Sequence, residues 1–148
     1  MNNINSTRNI QIAATFLLAG LWTDAAIACH AAAPINITQQ NGDGSSLATG
    51  GTTNGISVRL RGQASGSTCG CGPYYLEFEV IPTSQAYSGS HNYASPGDNR
   101  GSCNQITYLW TNITNLTPGV IYKWRVREYT SGSGARSNWV EYANPAFT

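Results

Sequence analysis

Between residues 56 and 147, apolar and polar side chains alternate with a period of two in one segment after another. Ile56, Val58 and Leu60 alternate with Ser57, Arg59 and Arg61, and Leu76, Phe78 and Val80 with Glu77 and Glu79. Ile106, Tyr108 and Trp110 alternate with Thr107, Leu109 and Thr111, and Tyr122, Trp124 and Val126 with Lys123, Arg125 and Arg127. Successive side chains of a strand point to opposite faces, so each segment predicts a strand with one buried face. Ile35 and Ile37 predict a shorter first strand over Pro34–Gln40, and Arg136–Phe147 a last one with Trp139 turned inward. Pro82 ends the strand Tyr74–Ile81 or puts it at an edge. Ser131-Gly132-Ser133-Gly134 supplies a hairpin connection. A short edge strand is expected inside the polar stretch Thr83–Asn104. The sum is about seven strands with frequent turns, the pattern of an all-β antiparallel sandwich. Its inner faces would pack Ile56, Val58, Leu60, Leu76, Phe78, Val80, Trp110, Leu116, Tyr122, Trp124, Val126 and Trp139.

The first 33 residues follow a different pattern. Asn2–Asn9 carries one cation, Arg8, and Ile10–Trp22 is apolar apart from Gln11 and Thr15. Small residues follow in Ala25-Ala26-Ile27-Ala28. This is the plan of an export signal, and the apolar run falls short of the roughly 20 residues that cross a bilayer. Cleavage is expected after Ala28, which gives a leader over 1–28, with Ala33 as its outer limit. Ala26-Ile27-Ala28-Cys29 also resembles a bacterial lipobox, so a membrane link is expected only through lipidation of Cys29. One β domain occupies 34–148, with Asn41–Gly55, dense in Gly, Ser, Thr and Asn, as a flexible segment.

Charged residues make up 10% of the chain and the formal net charge is +1. That excludes the basic field that holds nucleic acid. The four cysteines are Cys29, Cys69, Cys71 and Cys103. In an exported chain they are expected to pair. Cys69-Gly70-Cys71 has only His30 and His91 as further soft ligands, neither at ligand spacing, so no metal is expected.

The run Leu116-Thr117-Pro118-Gly119-Val120-Ile121-Tyr122-Lys123-Trp124-Arg125-Val126 resembles the E–F corner of fibronectin type III domains. Tyr75–Val80 and Ser137-Asn138-Trp139 extend the likeness, which covers roughly residues 34–148. Leu60 stands near the place of that family's core tryptophan in the second strand, and Thr83–Asn104 is longer than is usual there. The resemblance implies an immunoglobulin-like, seven-stranded sandwich used for adhesion, spacing or display. It implies a corner built by Leu116, Pro118, Gly119 and Tyr122, with the Tyr122 hydroxyl bonded to backbone near Leu116. It implies that strand Tyr74–Ile81 pairs with Tyr122–Tyr129, so that Glu77 and Glu79 face Lys123, Arg125 and Arg127. It also brings two loops to one end, so that Cys69 or Cys71 bridges Cys103. The remaining cysteine would take Cys29 if that residue stays free, or else form an intermolecular bond.

Catalytic chemistry finds no purchase. Nucleophilic catalysis needs a base with an orienting partner, and His91 reads as a solvated loop residue. Glu77 and Glu79 lie about 7 Å apart along one strand, on a flat face beside cations and without a cleft. Asp43-Gly44 and Asp98-Asn99 are turn dipeptides. No cofactor is expected and no enzyme activity. The expected function is a secreted or cell-surface binding or adhesion module. Its partner would be a protein or a carbohydrate, met by the loop aromatics Tyr74, Tyr87 and Tyr93. The alternative is a self-associating subunit of a surface filament that keeps its N-terminal segment.

Overall fold

The computed structural model describes residues 29–64, 71–99 and 106–148. The expected leader, Cys69 and Cys103 lie outside the described residues. Seven strands form among those described: β1 (Ile35–Asn41), β2 (Val58–Ala64), β3 (Tyr74–Pro82), β4 (Tyr93–Ala94), β5 (Thr107–Ile113), β6 (Tyr122–Thr130) and β7 (Val140–Phe147). They make two antiparallel sheets in a sandwich-like arrangement, ordered β1–β2–β5 and β4–β3–β6–β7.

The period-two pattern explains β6 without exception. Tyr122, Trp124, Val126, Glu128 and Thr130 are buried, and the residues between them are half-buried on the outer face. Leu76, Phe78 and Val80 of β3 meet them in one core with Val58 and Leu60 of β2, Leu109 and Ile113 of β5, and Phe147 of β7. Each fully buried Leu, Val or Phe side chain contributes roughly 1.5–3 kcal/mol. Gly62 sits where a Cβ would stand 3.0 Å from Leu76 Cδ1 and 3.3 Å from Ile37 Cγ2, so a larger residue in β2 would push the neighbouring side chains away. Trp124 fills the centre, stacked on Tyr142 at 4.7 Å between ring centroids. Its indole N–H donates to Gln39 Oε1 at 3.0 Å. The Gln39 amide donates in turn to the carbonyls of Ala146 (2.6 Å) and Ala48 (3.0 Å). One buried amide thus joins β1, β6 and β7, and leaving such groups unpaired would cost about 1–3 kcal/mol each.

Thr117–Val120 is a turn with Pro118 and Gly119 at its centre, and Gly119 takes a φ of 76° that a glycine adopts freely. The Thr117 N–H donates to the Tyr122 hydroxyl at 3.0 Å.

Three expected core residues lie elsewhere. Ile56 is 66% exposed, ahead of β2. Trp110 faces out, because register decides the face of β5. Gly62 pairs with Leu109, Leu60 with Thr111 and Val58 with Ile113, all on the core side, so Arg61 and Trp110 pair on the outside. Shifting a strand by one residue exchanges its two faces, and both sets in this segment are apolar enough to fill a core. Trp139 precedes β7 and lies across the outer face of β6, while Tyr142 takes the inner place.

The segment expected to be flexible is tied down. The Asp43 carboxylate accepts the Ser45 N–H, and Leu47 is buried in the core. The chain then crosses from the first sheet to the edge of the second. Gly51 pairs in parallel with Phe147, and the Thr53 N–H donates to the Thr148 carbonyl at 2.8 Å. Of the two cysteine pairings open to Cys71, the structure holds the one with Cys29, whose Cα lies 5.6 Å away. The bridge staples the chain ahead of β1 to the start of β3.

Candidate functional site

The two sheets present outer faces of opposite character. The face of β4–β3–β6–β7 is charged and internally matched. Antiparallel register sets Glu79 opposite Arg125 and Glu77 opposite Arg127. Arg125 donates to Glu79 Oε2 at 2.6 and 2.9 Å. Glu79 Oε1 also accepts the N–H and hydroxyl of Ser88. Glu77 accepts from Arg127 at 2.7 Å and Arg136 at 3.1 Å, and His91 Nδ1 lies 3.3 Å from its other oxygen. His91 is therefore a partner of Glu77, not a purely solvated loop residue. Burial pushes both carboxyl groups up. For Glu77 the bonds from Arg136 and Arg127 and the charge of His91 outweigh it, and for Glu79 the bonds from Ser88 and Arg125 do, so both stay below the usual carboxylate range.

Aromatic rings interleave with these cations. Arg125 lies 4.3 Å from the Tyr87 centroid and 4.5 Å from that of Trp139, which Arg127 approaches at 4.2 Å. The Tyr87 hydroxyl donates to Glu141 at 3.3 Å. Burial, followed by the charge of Glu141, raises the Tyr87 phenol far above its ordinary value. A shallow hollow of about 240 Å³ between Tyr75, His91, Tyr129 and Arg136 has Glu77 in its wall. Every ion pair found among the described residues belongs to this face. Glu77 and Glu79 pair with Arg125, Arg127 and Arg136, while Lys123 lies over Tyr87, and the Glu79–Arg125 and Glu77–Arg127 pairs make this face a latch between β3 and β6.

The expected ligand-facing aromatics do not assemble on any surface. Tyr74 is 2% exposed, because it opens β3 on the same face as Leu76 and Phe78. Tyr93 pairs with Phe78 and shares its inward side, packed against the core. Tyr87 is half-buried on the outer face of the other sheet, with Lys123 and Arg125 over its ring and its hydroxyl held by Glu141. The corner residues Leu116, Pro118, Gly119 and Tyr122 line a different feature. With Thr52, Asn54, Ile56 and Thr148 they form an open, largely apolar groove of about 400 Å³ at one end of the molecule.

The outer face of β1–β2–β5 carries the exposed rings instead. Tyr108 is 45% and Trp110 43% exposed, two residues apart on β5 and so about 7 Å apart along the strand. Beside them on β2 stand Arg59 and Arg61, with the same spacing. The Arg61 guanidinium lies 3.9 Å from the Tyr108 centroid, and that of Arg59 lies 4.7 Å from Trp110. Arg59 Nε donates to Asn112 Oδ1 at 3.3 Å. Register places Gln40, Arg59 and Asn112 in one row and Thr38, Arg61 and Trp110 in the next. In a third row Gln63 accepts from the Asn36 side chain, at a bulge where Asn36 takes a φ of 49°. Among the described residues neither Arg59 nor Arg61 has a carboxylate within ion-pair distance. The segments 65–70 and 100–105 contain no Asp or Glu, and residues 1–28 contain one acid, Asp24.

Comparison with protein-family profiles, characterised proteins and solved structures gave no match. Function therefore has to be read from these two faces. Assigning Trp110 to the core hid the second one from the sequence reading. The signal that could have revealed it is Leu109, Thr111 and Ile113, a second alternating set in the same strand.

Proposed function

We propose that the chain is a secreted, non-catalytic binding module that grips saccharide chains at a cell surface or in the extracellular space. The observation that carries this reading is the pair Tyr108 and Trp110, exposed on a flat sheet face. Large rings of this kind combine an apolar body with a polar edge; a guanidinium lies over each, yet close to half of each residue stays exposed, and the apolar faces of sugar rings stack on that exposed part. The rise between them suits an extended chain better than a small molecule, for which a concave pocket is the usual receptor. Arg59, Asn112 and Gln40 border the rings with hydrogen-bonding groups.

The fibronectin type III-like reading of the fold draws support from the strand order β1–β2–β5 and β4–β3–β6–β7, and from the tyrosine at the corner. Export draws support from the leader pattern and from the Cys29–Cys71 bridge, since disulfides persist in oxidising compartments. A sulfur held in that bridge has no valence left for a lipid thioether, which favours a secreted module over a lipid-anchored one. Self-association into a filament is the second reading. It draws on β5, an edge strand with Ile106 exposed at its start.

Retention on immobilised polysaccharides tests the proposal. Tyr108→Ala and Trp110→Ala are expected to abolish retention of the chain while leaving it folded, each lowering stability by about 0.5–1 kcal/mol through the lost contact with Arg61 or Arg59. Equal retention of wild type and Trp110→Ala would contradict it. A concentration-dependent sedimentation coefficient, lost in a β5 edge variant, would favour the filament instead.

A further inference from the structure

We propose that the saccharide taken by the β1–β2–β5 face is an acidic polysaccharide, whose carboxylate or sulfate groups pair with Arg59 and Arg61 while its rings stack on Tyr108 and Trp110. This rests on the saccharide reading above and specifies its ligand class.

The two outer faces of the same molecule make the case by contrast. On β3–β6, Arg125 is matched by Glu79, and Arg127 and Arg136 by Glu77. On β2–β5, two guanidiniums stand side by side with no carboxylate within ion-pair distance among the described residues. Covering an unmatched cation with a neutral ligand costs desolvation that nothing returns. An anionic group turns the same burial into charge-assisted, bidentate hydrogen bonds. Charge complementarity thus selects among saccharides that would all stack equally well on the rings.

Arg59 and Arg61 are also held ready. Each is stacked on an aromatic ring, and Arg59 is further fixed by Asn112. A guanidinium stacked by its plane keeps its N–H edges for an anion, which a flexible ammonium does not do. Side chains already ordered lose less freedom on binding. The cations repeat every second residue of β2 and the rings every second residue of β5. The two cations and the two rings are each about 7 Å apart along their strands, so a chain with repeated charges can span both. Nucleic acid fits less well: the face has two cations among the described residues, and the whole chain is nearly neutral at +1.

The test uses the full secreted chain and two matched pairs of probes, titrated by calorimetry. Polygalacturonate is compared with its neutral methyl ester, and dextran sulfate with dextran. The expected result is at least tenfold tighter binding of one acidic member than of its neutral partner, weakened by added salt. The first pair reads a carboxylate ligand and the second a sulfate ligand. Arg59→Gln with Arg61→Gln is expected to remove that tenfold preference. Arg59→Lys with Arg61→Lys, which keeps the charge and loses the fork, is expected to recover part of it. Thermal unfolding of each variant confirms that it is folded. Equal binding of acidic and neutral members, lost in Trp110→Ala, would overturn the acidic ligand and leave the saccharide reading intact. No binding of any member would overturn both. Acidic binding that survives both the Arg→Gln pair and Trp110→Ala would place the ligand on another surface and overturn both as well.

Discussion

Tyr122 shows how one side chain closes a turn and a core together. Its ring stacks on Phe147 with centroids 5.4 Å apart, and its hydroxyl accepts the Thr117 N–H across the Pro118-Gly119 turn. Tyr122→Phe keeps the ring and removes the hydroxyl. It is expected to lower unfolding free energy by about 1 kcal/mol, a typical net hydrogen bond, measured by urea denaturation. An unchanged midpoint would mean that the corner is held by packing alone. The tryptophans make the complementary point. Trp124 is buried, with its N–H met by Gln39; Trp139 lies against arginines; Trp110 is exposed beside Arg59. Residue type did not separate these fates, because each was decided by partners on other strands.

At the scale of elements, β3 and β6 were the most legible parts of the chain. Their alternation is strict, and their charges are opposite in sign and complementary in register. Opposite charges across strands contribute roughly 0.2–1 kcal/mol per pair and help fix register. The pairing has a consequence for acid stability. Folding holds Glu77 and Glu79 below the value of 4.5 that they would have in an open chain. The unfolded chain therefore binds more protons as pH falls through that value. The stability these groups add is complete above it and is lost as pH drops toward their folded values. The urea midpoint is expected to be level from about pH 7 to about pH 5.5 and to fall below that. Glu77→Gln with Glu79→Gln should lower the midpoint at neutral pH and flatten its acid limb. An acid limb of the same steepness in that variant would assign the effect to other groups. β5 was the least legible element. Two apolar sets compete within Ile106–Ile113, and the choice between them is made by pairing with β2, which local alternation does not contain. The contacts of the crossing segment after β1 were illegible for a related reason. Its Gly, Ser and Thr content signals turns, but its backbone partners lie at the far end of the chain, in Ala146 and Thr148.

For the whole molecule, the Cys29–Cys71 bridge closes a loop with a sequence separation of 42. Closing a loop of that length is worth about 4 kcal/mol in the chain-entropy model. Cys71→Ser and Cys29→Ser are each expected to destabilise the chain by up to that amount. Reductant should destabilise the wild type in the same direction. A Cys29→Ser chain as stable as wild type would argue against the bridge. Cysteine spacing alone left its pairing open, because only the folded chain brings the segment before β1 to the start of β3.

The two-sheet arrangement has one outer face where Glu77 and Glu79 pair with arginines and one where Arg59 and Arg61 meet no carboxylate among the described residues, and the proposed ligand is assigned to the second. The most direct measurement of that division is an amide and indole NMR titration of the chain with oligogalacturonate. The account predicts shifts at Arg59, Arg61, Tyr108 and Asn112 and at the Trp110 indole, with the Trp139 indole unmoved. Shifts centred on Tyr87, Trp139 and Arg125, with Trp110 unmoved, would contradict it.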